Sequence, residues 1–181
     1  MQRYIALLGG INVGGRRIKM GDLARSFEAL GLVEVQTFIA SGNVAFETPT
    51  ADPVALERTI EGHLAGALGY AVPTFLRTPD ELAAAATRRP FASEGPEAAG
   101  FTVSVCFLRR SLTPEEVEGL LSYRTAMDDF EVVGREMYWL CRGKVTESLV
   151  PWHQVAKSVM VPSTVRNVTT VRKLAAKYPP A

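Results

Sequence analysis

One order of elements occurs twice in this chain, on either side of a stretch that breaks every period, and that repetition limits the fold more than any single motif. The stretch runs from Arg88 to Gly100 and holds Pro90, Gly95, Pro96 and Gly100. Before it, Arg3 to Leu8 reads as a strand, and Met20, Leu23, Phe27 and Leu30 recur at helical spacing until Gly31 ends the helix. Val33 to Ile39 and Asn43 to Glu47 read as a hairpin through Ala40-Ser41-Gly42. Asp52-Pro53 then opens a helix with Leu56, Ile60 and Leu64 on one face, and Ala71 to Arg77 returns as a strand. The succession is βαββαβ, followed by a helix whose Thr78 and Glu81 have the spacing of a capping box.

After the break the order starts again. Phe101 to Leu108 is a strand, and Thr113-Pro114-Glu115-Glu116 opens a helix carrying Val117, Leu120 and Leu121. Phe130 to Val133 and Met137 to Cys141 form a hairpin around Gly134. Leu149 to Val159 reads as helix, Met160 to Val165 as an edge strand because of Pro162, and a last helix carries Val168, Val171, Leu174 and Tyr178. The fold expected is α+β: two tandem ferredoxin-like (α/β plait) subdomains with antiparallel sheets, one over residues 1–90 and the other over residues 100–181. A doubly wound parallel sheet would need helices between all its strands, and the two hairpins argue against it.

Charge is unevenly spread. Residues 1–20 hold no acid but Arg3, Arg16, Arg17 and Lys19; residues 148–181 hold no acid but Lys157, Arg166, Arg172, Lys173 and Lys177. The stretch between carries 11 bases against 19 acids, so a net charge of +1 conceals two basic ends. Such ends attract phosphates, carboxylates or nucleic acid. No apolar run approaches the ~20 residues that cross a bilayer, and nothing at the N-terminus reads as a signal peptide, so the expectation is a cytoplasmic protein with no membrane partner. Cys106 and Cys141 lie in apolar strands, and no ligand spacing calls for a metal or cofactor. His63 and His153 lack a nucleophile or acid at a catalytic spacing, so both read as structural, and no motif assigns an enzyme activity.

The sequence features that point to a ligand are local. Gly9-Gly10-Ile11-Asn12-Val13-Gly14-Gly15 joins the first strand to the first helix, followed by Arg16, Arg17 and Lys19. A glycine-rich turn leaves backbone N–H groups unobstructed, and the helix start beyond adds partial positive charge, which suits an anion. The run fits neither G-x-x-x-x-G-K-[ST] nor G-x-G-x-x-G. Arg166-Asn167 precedes the last helix, where Asn167 is a cap for Thr169 or Thr170 and Arg166 adds a guanidinium fork. Asn12 and Asn43 are expected to converge, since the first and third strands of a plait are antiparallel neighbours. The candidate ligand-binding set is Gly10, Asn12, Gly14, Gly15, Arg16, Arg17, Lys19, Asn43, Arg166, Asn167 and Thr170.

Three segments, Leu7 to Gly15, Ile39 to Phe46 (Ile-Ala-Ser-Gly-Asn-Val-Ala-Phe) and Thr164 to Val171 with Lys173-Leu174, resemble signature stretches of a bacterial family of unknown function, DUF1697. The resemblance spans nearly the whole chain. It implies paired α/β-plait subdomains and carries no assigned reaction. The family pattern favours Arg where this chain has Gly9, so an anion site built on that Arg has one charge fewer here, with Arg16, Arg17 or Arg166 at hand to replace it.

The reading is therefore a protein that binds a small phosphate-bearing anion where the Gly10–Lys19 loop meets Arg166 and Asn167. Nucleic acid ranks second as a partner, and a structural or dimerising module third; the oligomeric state is unknown. The plait is also an RNA-recognition fold, which relies on aromatics on the first and third strands. With Ile5 and Leu7 facing the helices, the open face would show Tyr4, Ala6, Leu8, Asn43, Ala45 and Glu47, a poor stacking platform. Nucleic acid would then bind through the basic ends.

Overall fold

A computed structural model describes residues 1–40, 42–95 and 99–180; Ser41 of the expected hairpin turn and Pro96 of the expected linker lie outside the described residues. The chain divides into two compact units, Met1–Ala84 with Lys173–Ala181, and Ala85–Arg172.

Unit 1 contains β1 (Gln2–Leu8), α1 (Met20–Glu28), β2 (Val33–Phe38), β3 (Asn43–Thr48), α2 (Pro53–Leu68) and β4 (Thr74–Arg77), in the sheet order β2-β3-β1-β4 with every neighbour antiparallel. This is the βαββαβ plait expected from the sequence. Local chemistry sets its boundaries. Asp52 accepts from the N–H groups of Val54 and Ala55 at 3.0 and 3.1 Å, and Gly69 closes α2 in the left-handed region. The following helix, α3 (Pro79–Thr87), opens on a complete capping box between Thr78 and Glu81. The strand expected over residues 71–77 is confined to Thr74–Arg77, since Pro73 has no N–H to give a ladder.

The core of unit 1 packs Leu23, Phe27, Leu56, Ile60 and Leu64 from the helices onto Tyr4, Ala6, Leu8, Val44 and Phe46. The faces of β1 are thus the reverse of the sequence expectation. Tyr4 lies opposite Phe46 and Ala6 opposite Val44, so they share a face, and the Phe27 ring 5.6 Å from Phe46 fixes that face to the helix layer. Ile5 and Leu7 fall on the other side with Ala45, Phe75 and Arg77, and that side is buried as well. With both faces of β1 and β3 largely buried, the two strands on which such stacking relies offer no open platform.

Unit 2 repeats the plan. β5 (Thr102–Leu108), α4 (Pro114–Leu121), β6 (Asp128–Val133), β7 (Glu136–Cys141), α5 (Trp152–Val159) and β8 (Ser163–Asn167) form a sheet in the order β6-β7-β5-β8, again antiparallel throughout, and α6 (Val168–Lys177) follows. Phe130, Trp139 and Trp152 meet edge to face at 4.7–6.0 Å beside Cys106, Leu108 and Leu120. Asp128, fully buried, accepts from the Trp139 indole and the Ser148 hydroxyl, both at 2.8 Å. Burial pushes the Cys106 thiol up to about 12.

Two boundaries in unit 2 differ from expectation. α5 starts at Trp152, with Pro151 as its cap residue, and ends where Met160 turns into the left-handed region. The last strand therefore begins after Pro162, whose carbonyl accepts from Arg109 N–H at 3.0 Å, and runs on to Asn167.

Lys173–Ala181 belong to unit 1, where the Lys177 ammonium lies 5.4 Å from the centre of the Phe38 ring and Tyr178 Oη donates to Gln36 at 3.5 Å. Among the described residues no helix is long and apolar enough to cross a membrane.

Candidate functional site

The connection from β1 to α1 is tied down at its ends and free in the middle. Ile11 is buried against the unit 1 core and Ile18 packs on its margin. Asn12 holds the two ends together: its Oδ1 accepts from Ile18 N–H at 2.8 Å, and its Nδ2 donates to the carbonyls of Ile18 at 3.3 Å and Ala40 at 3.1 Å. Asn43, buried at the start of β3, donates to Phe38 O at 3.1 Å. Asn12 and Asn43 thus meet at the same β2–β3 turn, as the strand order requires. Gly42 completes that turn with φ +72°; its carbonyl accepts from Leu8 N–H at 2.8 Å, and a Cβ there would stand 3.1 Å from the Cβ atoms of both Leu8 and Ile11.

Between these anchors, residues 13–17 are exposed, with Gly14 and Gly15 at positive φ. Arg16 lays its guanidinium 4.3 Å from the centre of the Tyr70 ring, while Arg17 and Lys19 point into solvent. None of the three has a carboxylate partner among the described residues. Several other arginines are paired, Arg3 with Glu47, Arg88 with Glu131, Arg124 with Asp129, and the half-buried Arg142 with Glu94, although the exposed Arg58 on α2 has no carboxylate partner among the described residues either. Lys19 occupies the cap position of α1 without a side-chain cap, and no group among the described residues accepts from the N–H groups of Met20, Gly21 or Asp22. Asp22, in the first turn, is turned towards Arg25.

Gly10 stands at the start of this loop and Gly9 just before it, where Gly9 N–H donates to Pro73 O at 2.7 Å. Arg166, Asn167 and Thr170 lie in unit 2. Asn167 caps α6 by accepting from Thr169 N–H at 2.8 Å, with Thr170 one residue further along the first turn. Arg166 is buried in β8 and donates to Thr164 Oγ1 and Val165 O, both at 2.9 Å; desolvation pushes it down to about 10, which leaves it charged at neutral pH.

Two features escaped the sequence reading. Arg77, 1% exposed in β4, donates to Leu76 O at 2.9 Å, as Arg166 does to Val165 O; the two arginines lie opposite Ile5 and Val105 in their respective sheets. The second is a pair of carboxylates on α2. Glu57 accepts from Leu76 N–H and Glu61 from Thr74 N–H, both at 2.8 Å, which closes the outer edge of β4. Their four-residue spacing was the available signal, since it puts both on one flank of α2 beside the apolar face.

The sequence profile of a family described as "Protein of unknown function (DUF1697)" matches residues 1–138. No curated protein matches the chain. Among solved structures, the conserved bacterial protein SP0830 from Streptococcus pneumoniae is similar in fold, with a TM-score of 0.77 and 22% identity over 99% of both chains.

Proposed function

The chain belongs to the DUF1697 family, whose description assigns no reaction, and from that premise we propose that it binds a small phosphate-bearing anion at the Gly10–Lys19 loop of unit 1. The observation that carries this reading is the absence of any carboxylate partner, among the described residues, for Arg16, Arg17 and Lys19 beside the uncapped start of α1. Three cations, glycines that leave backbone N–H groups open, and a helix start all favour negative charge at one place. Arg16 is already oriented by the Tyr70 ring, which lowers the ordering cost of engaging a ligand.

Unit 2 supplies an internal precedent. There, the equivalent connection from β5 to α4 carries Arg110, whose fork holds Glu116 at 2.7 and 2.8 Å, while Glu116 also accepts from Thr113 N–H at 2.9 Å. A carboxylate from the chain itself thus fills the arginine fork at the helix start. In unit 1 an external oxyanion would take that place. Arg166 is buried and belongs to unit 2, so the proposed site uses side chains of unit 1 alone.

Calorimetric titration with phosphate, sulfate and mononucleotides tests the reading. A charge-assisted contact is worth about 1.5–3 kcal/mol, so Arg17→Ala or Arg16→Ala should weaken binding about tenfold or more. Absence of binding to the unaltered protein would sink the proposal. If an oligonucleotide binds with steep salt dependence and mononucleotides do not, the loop is a nucleic-acid contact instead.

A further inference from the structure

The last strands of the two units, β4 and β8, occupy the same place in the same topology but end differently at their outer edges. Arg109 N–H donates to Pro162 O and Gly9 N–H to Pro73 O, so the two registers correspond and Thr74, Leu76, Ser163 and Val165 all turn their N–H groups away from the sheet. In β4 those groups are taken by Glu61 and Glu57. In β8 no group among the described residues accepts from Ser163 or Val165 N–H. The helix that would cover this edge is also short: α5 has 8 residues where α2 has 16, contains no acid, and packs against α4. The side chain at the Leu76 position is 1% exposed, whereas its counterpart Val165 is 47% exposed, and Met160 beside the strand is 77% exposed.

We infer that the β8 edge is a docking site for an amphipathic helix of a partner protein, one that presents two carboxylates a single turn apart and an apolar residue to Val165 and Met160. The molecule itself specifies this occupant. On β4, two glutamates at i and i+4 satisfy alternate strand N–H groups while the helix covers the apolar side chain between them. Charge agrees: from Ser148 to the end of unit 2 there is no acid, and Lys157 on α5 is exposed without a partner among the described residues. A second copy of the same edge could exchange N–H and C=O bonds with this one, but it would bring no carboxylate and would set its own basic residues against these. A phosphate backbone would satisfy the donors but leave Val165 and Met160 uncovered.

The test is an amide NMR titration of the full ¹⁵N-labelled chain with a peptide of the α2 sequence, stapled on the face away from its two glutamates so that it is helical in isolation. Saturable shifts of Ser163 and Val165 are expected, with affinity reduced about tenfold or more when both peptide glutamates become Gln. Ser163→Pro removes one outward N–H without touching the ladder; it should keep the far-UV circular dichroism of the parent and bind at least fivefold more weakly. Equal binding of the Gln peptide, shifts at Thr74 and Leu76 instead, or no binding at millimolar peptide would overturn the inference. Concentration-dependent shifts at Ser163 without peptide would reassign the edge to self-association, and displacement of the peptide by a DNA oligomer would reassign it to nucleic acid.

Discussion

The connections that follow the first strand of each unit, residues 9–19 and residues 109–113, start from the same point of the same topology and reach opposite electrostatic ends. The short one is closed: Arg110, Glu116 and the Thr113 cap satisfy one another at the start of α4. The long one is anchored by Ile11, Asn12 and Ile18 but leaves Arg16, Arg17, Lys19 and the first N–H groups of α1 unanswered. Topology alone therefore does not fix the charge around a helix start: in unit 2 an acid of the chain fills the arginine fork there, whereas in unit 1 the first-turn acid Asp22 turns towards Arg25.

The largest effect should come from the turns that brace each sheet. Gly42 and Gly134 both have positive φ, but a Cβ at Gly134 would meet only the Glu136 carboxylate at 3.9 Å. Gly42→Ala should cost about 2–3 kcal/mol, left-handed strain plus the clash with Leu8 and Ile11, and Gly134→Ala about 1 kcal/mol. Equal costs in denaturant melts would mean that the two turns are braced alike. Next is the β4 edge. Glu57→Ala strands a buried Leu76 N–H and should destabilise by about 1–3 kcal/mol, with faster hydrogen exchange at Leu76; a neutral result would remove the contrast between β4 and β8.

The connections themselves can be interchanged. Lys19→Thr with Asp22→Glu writes the α4 capping box onto α1, which should add about 1 kcal/mol of stability and reduce phosphate affinity about tenfold. A gain in stability with unchanged affinity would detach the anion from the helix start. The smallest effect concerns acid. The Arg110 fork, and then the Thr113 N–H, hold the Glu116 carboxyl down to about 2, below its value in an unfolded chain. Its contribution is then complete above about pH 4.3 and is lost as pH falls towards 2. Glu116→Gln should flatten the fall of melting temperature across that window, and an unchanged acid limb would mean that the Arg110 fork does not hold this carboxylate in solution.

The sequence was read best where one local period decided the matter. Both plaits, both hairpins and the caps at Asp52, Thr78, Thr113 and Asn167 follow from spacing and cap chemistry. The face of β1 did not, because Tyr4 to Leu8 are all buried and a strand buried on both sides has no alternation to read. Arg77 and Arg166 were illegible for a related reason: their burial depends on strands distant in sequence, and nothing local marks a guanidinium as interior. The loop was legible as a cationic, glycine-rich turn. The roles of Asn12 as its staple and Tyr70 as the seat of Arg16 depend on contacts 28 and 54 residues away.

That Lys173–Ala181 belong to unit 1 sets an order on biosynthesis. The ribosome releases β1 to β4 first, yet Phe38 and Gln36 on β2 wait for Lys177 and Tyr178 until all of unit 2 has been translated. During that interval the nascent first plait carries an unfinished flank, and it is then that a chaperone holding β2 would matter to the yield of folded protein.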